Sequence, residues 1–400
     1  MYSTKTVERT IEDPTKSMLC KVQLEHSDYT PPPPDRPWIS CDIEMKPGPY
    51  CIFSVMSYNT LSSSYASPQR YPYCLEDCLN WETRGQSIIN EIEYYNCDVL
   101  CLQEVENKVF HEYLLPALET LGYSGVFAPK SRAKTMSSAK QRLVDGCAIF
   151  WKTEKFTLIA HELIEFNLLA MENHAGCDDM LNRVALRDNI GLFGLLKTTA
   201  AAWNDGLPEN SWDVEQLVLI TTTHLHWNPA FCDVKLLQTF LLTSEINKML
   251  EKACILSGKD NIASSDIKLI VCGDFNSKTD SGVYEFLVTG QLAADHPDFR
   301  NLNYRDAVSK IFGNPKSTDT IQSNLNLLSA CNEMDMLFTN YTYYFKAVID
   351  FIFYRPSNIQ PIGFYGMMDV QWFIENGIVG CPNRYIPSDH LPVIAAFKIV

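Results

Sequence analysis

Basic residues are the scarce component of this 400-residue chain: 33 Lys and Arg stand against 48 Asp and Glu, a formal net charge of −15. Proteins that coat nucleic acid draw their affinity from an excess of positive charge, so that class is excluded. Phosphate chemistry is not excluded, because a metal ion can supply the charge that meets phosphates. Long apolar runs are also missing. Nowhere do ~18 consecutive apolar residues occur, so nothing is expected to span a membrane. The opening stretch MYSTKTVERTIEDPTK is charged and polar and lacks the apolar segment of a secretory leader. No leucine-rich or other repeat of roughly 20–50 residues is visible. Cys-x-x-Cys pairs are absent, which argues against a structural zinc site. The fourteen cysteines are scattered, most of them inside apolar runs such as Val99-Leu100-Cys101-Leu102 and Ile270-Val271-Cys272. Small buried thiols behave this way in a reducing compartment. The expectation is a soluble intracellular protein.

What is present is a globular composition, 46% apolar, in a chain long enough for two or three domains or one large α/β domain at roughly 100–200 residues per domain. Residues 1–47 read as a Pro-rich N-terminal extension. The run Pro31–Pro34, then Pro37-Trp38 and Pro47-Gly48-Pro49, favours extended chain lying along the main domain with Trp38 as an anchor. From about residue 48 to 400, apolar strands alternate with helices and no linker intervenes, which argues one α/β domain. Strands are expected at 51–58, 98–103, 146–151, 217–223, 268–272, 348–354 and 392–400. Amphipathic helices are expected at Asn80–Tyr95, with Ile88, Ile89 and Ile92 at helical spacing, and at Asp233–Leu250. The tract from Leu196 to Trp212 reads as a surface insertion between strands.

The informative regularity lies at the strand ends. Ser57-Tyr58-Asn59-Thr60 closes the first strand, Gln103-Glu104 the second and Thr223-His224-Leu225-His226 the fourth; Gly273-Asp274-Phe275-Asn276-Ser277 closes the fifth. Asp350 lies inside Val348-Ile349-Asp350-Phe351-Ile352, and Ser388-Asp389-His390 precedes the last strand. Singly, a polar residue after a strand is a solvated loop residue. Asp350 resists that reading, because a buried carboxylate without a partner costs on the order of 3–5 kcal/mol. Jointly, the set has the composition of a magnesium phosphoesterase site: Glu104 and Asp274 as carboxylates, with Asn59, Asn276 and Asn340 as neutral oxygen ligands or phosphate contacts. His224 and His390 can donate to a phosphoryl oxygen that gains charge in the transition state. Zinc would want more His and Cys at tight spacing than His224 and His226 supply.

The segments Ser57-Tyr58-Asn59-Thr60-Leu61, Leu102-Gln103-Glu104-Val105, Thr223-His224-Leu225, Gly273-Asp274-Phe275-Asn276-Ser277 and Ser388-Asp389-His390-Leu391-Pro392 stand in the order of the endonuclease/exonuclease/phosphatase superfamily, which the chain resembles. Within it, the chain is most similar to the deadenylases of the carbon-catabolite-repressor type, subunit 6 or 6-like of the Not complex. That likeness is carried by Pro129-Lys130-Ser131-Arg132, Val144-Asp145-Gly146-Cys147, Met180-Leu181-Asn182-Arg183, His226-Trp227-Asn228-Pro229 and Thr339-Asn340-Tyr341-Thr342, among others.

The resemblance implies a four-layer α/β sandwich, two packed β-sheets flanked by helices. It also implies a 3′-to-5′ exoribonuclease that shortens poly(A) tails and releases 5′-AMP with two magnesium ions. Glu104 would be the principal metal ligand, with Asp274 and Asn340 also at the metal, and Asn59 would assist metal and scissile phosphate. Asp274 would deprotonate the attacking water and His390 would stabilise the pentacovalent phosphate. Asp350 would orient a histidine or hold the second ion, and Asp389 joins the catalytic set. His224, Asn276 and Asn340 would contact the substrate, and Pro229 and Phe345 would grip the terminal adenine face to face, a stack worth about 1–3 kcal/mol. The implied partners are the 3′ end of poly(A) RNA and other Not-complex subunits, although no leucine-rich docking region appears in this sequence. The implied location is the cytoplasm, with the nucleus also open. The competing readings are a 2′,5′-oligoadenylate phosphodiesterase or dinucleotide phosphatase of the same fold, and a silent adaptor. Lys130, Arg132, Lys134, Lys140 and Arg142, with no acid among them, read either as a solvated loop or as a basic lip that meets incoming phosphates.

Overall fold

Residues 50–59 alternate in a way that decides the architecture. Phe53 and Val55 pack into one buried cluster, Met56 and Tyr58 into another. A strand covered on both faces belongs to the interior of a layered α/β fold. The computed structural model describes residues 30–43, 47–259, 262–313 and 319–399. The main strands are β1 (Trp38–Ser40), β2 (Tyr50–Asn59), β3 (Val99–Glu106), β4 (Tyr123–Pro129), β5 (Asp145–Lys152), β6 (Phe156–Glu165) and β7 (Ile190–Thr198). They continue with β8 (Leu217–His224), β9 (Lys268–Asp274), β10 (Leu328–Ser329), β11 (Asp350–Tyr354), β12 (Ile359–Tyr365) and β13 (Val393–Ile399). One sheet runs in the order β1-β12-β13-β2-β3-β5-β4, the other β10-β11-β9-β8-β7-β6. Each is built around one parallel pair, β2 with β3 and β8 with β9, and is otherwise antiparallel.

Three hydrophobic layers hold these elements. Between the sheets, Val55, Cys101, Ile149, Leu192, Ile220, Cys272, Ile352 and Ala395 form the central core. Helix α1 (Trp81–Tyr95) covers the outer face of the first sheet through Ile88, Ile89 and Ile92. Helix α2 (Cys232–Leu256) covers the outer face of the second through residues such as Leu237, Phe240 and Leu241. This is the expected four-layer α/β sandwich. Asn80 caps α1, its side chain accepting from the Glu82 amide, so the helix proper starts one residue later than the expected segment. Helix α2 departs from amphipathicity: every residue from Asp233 to Thr243 is buried, because the 297–312 region packs on the side away from the sheet.

The proline-rich segment, as far as it is described, lies against the first sheet. β1 pairs antiparallel with β12, and Trp38 packs edge-on against Tyr365 at 5.1 Å. The stronger tie is Arg36, 6% exposed, whose guanidinium donates to the carbonyls of Gly366, Pro392 and Tyr365. Trp38 itself remains 42% exposed. The rest of the expected extension, residues 1–29 and 44–46, lies outside the described residues. In the 196–212 tract, Leu196–Thr198 continue β7, and Trp203–Asn204 pair with Tyr50–Cys51, so its first half is part of the sandwich. Every cysteine among the described residues is a free thiol, most of them buried. No helix among the described residues is long and apolar enough to cross a membrane.

Beneath α1, the Glu91 carboxyl lies beside the Tyr58 hydroxyl, and burial raises it to about 7, against the opposing pull of Tyr58 and Arg36. Its Oε2 is buried without a hydrogen-bond partner. Below the ordinary glutamate value the group is neutral in both folded and unfolded chains. As pH rises toward 7 the unfolded chain releases the proton first, so the fold loses stability across that window. Glu91→Gln is therefore expected to stabilise the protein by roughly 1–3 kcal/mol above pH 7 and by little near pH 4. Thermal melts of both proteins across this range check it; a gap that does not widen with pH contradicts it.

Candidate active site

The carboxyl ends of both parallel pairs open at the same edge of the sandwich. Asn59 is the last residue of β2, and His224 and Asp274, the last residues of β8 and β9, are register partners. Asp350 opens β11 directly opposite Asp274. His390 lies just before β13 and forms a bridge with Asn340. Two local features shape this edge. At Gly273 a Cβ would stand 2.2 Å from the Thr223 carbonyl oxygen, so only glycine lets β9 approach β8 just before Asp274. At Glu104 the β3–β5 register shifts and φ is +57°, an irregularity that re-aims the side chain after Gln103 has pointed inward to bond Thr222 of the other sheet.

The Asn59 amide donates to Asp274 Oδ2 at 3.0 Å, and its nitrogen lies 3.4 Å from His390 Nε2. Its Oδ1 accepts from the Leu61 amide, and its carbonyl accepts from Ser388 Oγ at 2.6 Å. His390 Nδ1 pairs with Asp350 Oδ2 at 2.8 Å, and Thr339 Oγ1 donates to the same oxygen at 2.6 Å. His224 Nε2 and His390 Nε2 lie 3.6 and 3.7 Å from Asp274 Oδ2. Asn276 donates its amide N–H to Asp274 Oδ1. A second group adjoins this one: Ser62 N donates to Glu104 at 2.9 Å, and Asp389 Oδ2 accepts from Tyr71 and Asn340. Pro229 and Phe345 line the same cleft, which has a volume of about 900 Å³. The eleven expected residues thus all converge on one edge.

Burial, then the nearby Asp350, pushes the Asp274 carboxyl up to about 7, against the opposing effect of His390. Glu104 rises to about 7 through burial and the charge of Asp145, with Lys130 opposing. Burial alone would lower His390, but Asp350, Asp389 and Asp274 outweigh it and hold the imidazolium well above its ordinary range. His224 goes the other way, kept neutral by burial and by Lys130. The site is therefore a concentration of buried carboxylates with one paired imidazolium among them.

Such a donor set fits a divalent cation. Asp350 Oδ1 and Asp389 Oδ1 are buried without partners, and Asp274, Asp350 and His390 bring ligand-type atoms within 4.8 Å of one another. His390 is already committed to Asp350, so the oxygens of Glu104, Asp274, Asp389 and the neighbouring amides are the ones suited to a hard ion.

Several supporting residues carry no local signal in the sequence. Arg84, 1% exposed, donates to the carbonyls of Thr60, Leu61, Leu79 and Pro387 and so joins the loop after Asn59 to the loop before His390. Thr339 fixes Asp350 from eleven residues upstream, and Tyr71 fixes Asp389 across most of the chain. The basic run is largely neutralised. Lys130 and Arg132 pair with Asp145, Arg132 also with Asp188, Lys134 with Glu165 and Arg142 with Glu112. Of the five, Lys130 alone lines the cleft, and it holds Asp145 from a buried position. The basic-lip reading fails because the acidic partners come from other elements.

Comparison with known proteins agrees with this geometry. Residues 56–390 match the Endonuclease/Exonuclease/phosphatase family. CCR4-NOT transcription complex subunit 6-like-B of Xenopus laevis is 40% identical over 369 residues, covering 92% of this chain and 67% of that protein. The CCR4-Not complex 3′-5′-exoribonuclease subunit Ccr4 of Mycosarcoma maydis is 35% identical over 391 residues, 92% of this chain and 55% of that one. Among solved structures, ANGEL2, a 2′,3′-cyclic phosphatase, superposes with a TM-score of 0.69 at 25% identity, covering 91% of this chain and 98% of ANGEL2. The human Nocturnin catalytic domain shares the fold at a TM-score of 0.56 and 20% identity, over 91% of this chain and 98% of that domain. With the motif order, the sandwich and the matched span in agreement, the chain belongs to the Endonuclease/Exonuclease/phosphatase family.

Proposed function

We propose that this protein is a magnesium-dependent 3′-to-5′ exoribonuclease that shortens poly(A) and releases 5′-AMP, working with partners of the Not-complex type. The observation that carries the chemistry is the joined set Asn59–Asp274–His390–Asp350 at the floor of an open cleft. The substrate follows from the relatives named as CCR4-NOT subunits and as a 3′-5′ exoribonuclease.

Each residue has a role its surroundings suit. Asp350 holds His390 by Nδ1, which aims Nε2 toward Asn59 and Asp274. From there the imidazolium donates to a phosphoryl oxygen as negative charge builds on it. Asp274, with its carboxyl near 7, is poised to take a proton from the attacking water. Asn59 keeps Asp274 oriented and presents its amide at the same place. His224, held neutral, contacts substrate without adding charge. Glu104, Asp274 and Asn340, with Asp389 beside them, would hold two magnesium ions. When bound, magnesium neutralises phosphate oxygens and makes water a stronger acid. Pro229 and Phe345, the latter 45% exposed on the cleft wall, would sandwich the terminal adenine.

A 5′-labelled poly(A) oligomer run beside poly(U), 2′,5′-linked oligoadenylate and an RNA ending in a 2′,3′-cyclic phosphate tests the reading. Stepwise shortening of poly(A) is expected with magnesium and none with EDTA, and Glu104→Ala and Asp274→Ala should each lose at least ~10²-fold in rate. Faster turnover of the 2′,5′-linked or cyclic substrate would replace this reading with that one. Asp350→Asn should return His390 toward ordinary imidazole titration, seen as a falling transition in histidine NMR of the metal-free protein. An unmoved transition would show that Asp350 does not hold the proton on His390.

A further inference from the structure

An acidic protein with an acidic site has to hold a polyanion somewhere beyond the scissile phosphate. A metal ion held by the site's carboxylates would meet that one phosphate and would leave those upstream unaccompanied. Four Lys or Arg side chains line the cleft among the described residues: Arg70, Lys130, Lys235 and Lys278. Three are committed. Lys130 pairs with Asp145 at 2.7 Å, Lys278 with Asp280 at 3.0 Å, and Lys235 donates to the Asn276 carbonyl. Arg70 is exposed and makes no ion pair or side-chain hydrogen bond with the described residues. Its guanidinium instead lies over the Tyr65 ring, 5.0 Å from the centroid.

This placement is built. The Tyr65 hydroxyl donates to Asp145 Oδ1 at 3.0 Å, which ties the ring to the Lys130–Asp145–Arg132 network. The Arg70 and Tyr71 amides both donate to the Ser67 carbonyl, and the Tyr71 hydroxyl is fixed on Asp389. A guanidinium stacked on an anchored ring loses little freedom when it binds, and its in-plane donors stay available to an oxyanion. Arg70 sits on the loop after β2, on the first sheet's side of the cleft. Pro229 and Lys278 sit on loops that follow β8 and β9 of the second sheet, with Asn59, Asp274 and His390 at the seam.

We propose that Arg70 binds the phosphate on the 5′ side of the scissile linkage, gripping the incoming strand by its backbone. The proposal rests on the nuclease reading for the identity of the strand. A terminal base seated beside Pro229, with the scissile phosphate at the seam, sends the upstream chain over the wall that carries Tyr71 and Arg70. Recognition there is electrostatic and independent of base, so it sets grip on the strand and leaves selection of the terminal base to the opposite wall.

Strand binding is measured by fluorescence anisotropy with a 5′-fluorescein oligoadenylate and magnesium, in an Asp274→Asn background that leaves the strand uncut. Adding Arg70→Ala should weaken binding about 3–10-fold at low salt and reduce the salt slope by about 1, while Arg70→Lys keeps most of the slope. In the otherwise native protein, Arg70→Ala should raise KM by a similar factor with kcat and the thermal midpoint unchanged. A neutral methylphosphonate at the second linkage from the 3′ end should remove the difference between Arg70 and Ala. An unchanged slope, no measurable strand binding, or a difference that survives the methylphosphonate would overturn the proposal. Arg70-dependent binding in a protein whose native form shortens no RNA would retain the contact and overturn the nuclease reading instead.

Discussion

Asp274 and Asp350 face each other across an antiparallel ladder, both buried, at the edge where the two sheets meet. Two carboxylates so placed cannot both be charged without a positive counterpart. His390 is that counterpart within the chain, and much of the surrounding structure serves to keep it in place. Thr339 shares the Asp350 oxygen that His390 holds. Ser388 ties the turn before His390 to the Asn59 carbonyl, and Arg84 ties the Pro387 carbonyl to those of Thr60 and Leu61. The loops on either side of the seam are thereby bound to each other through the site itself.

The fold makes this concentration of charge tolerable. A sandwich whose central pairs are parallel delivers four strand ends to one edge, so polar residues placed one per strand arrive together while the strands remain apolar along their length. The same arrangement explains why Glu104 needs a bulge. Gln103 is used inside the core to bond Thr222 across the sheets, and the next residue reaches the cleft only through a positive φ and a slipped register. Local strain at a site is stable where the surrounding packing over-determines it, and here β3 lies between β2 and β5 in mid-sheet.

Seven strands and two long helices were legible because buried strands read as apolar runs closed by polar residues, and because Ile88, Ile89 and Ile92 mark a helix face. β1, β4, β6, β7, β10 and β12 were not. β6 alternates half-buried and exposed residues along an edge of its sheet, and β12 carries Pro361 and Gly363 within its pairing irregularity. The motif residues of the site were readable in order, since each stands at the end of a strand. Their supports were not. Arg84 lies on an amphipathic helix where an arginine ordinarily faces water, and nothing local marks it as a buried donor to four carbonyls. The run from Lys130 to Arg142 looked uncompensated for the same reason: Asp188, Glu165 and Glu112 belong to distant segments or to other elements.

By itself, then, the sequence determined which residue types stand at the strand ends, because hydrophobic periodicity and local chemistry are properties of neighbours along the chain. It also determined that net charge could not be what holds a polyanion. Only the tertiary structure decided which charges cancel. It turned four of the five cations of the basic run into ion pairs, set Asp350 against Asp274 and left Arg70 as the uncommitted cation among those lining the described cleft. Electrostatic pairing depends on distance in space, and that distance exists only after the sheets have closed on each other.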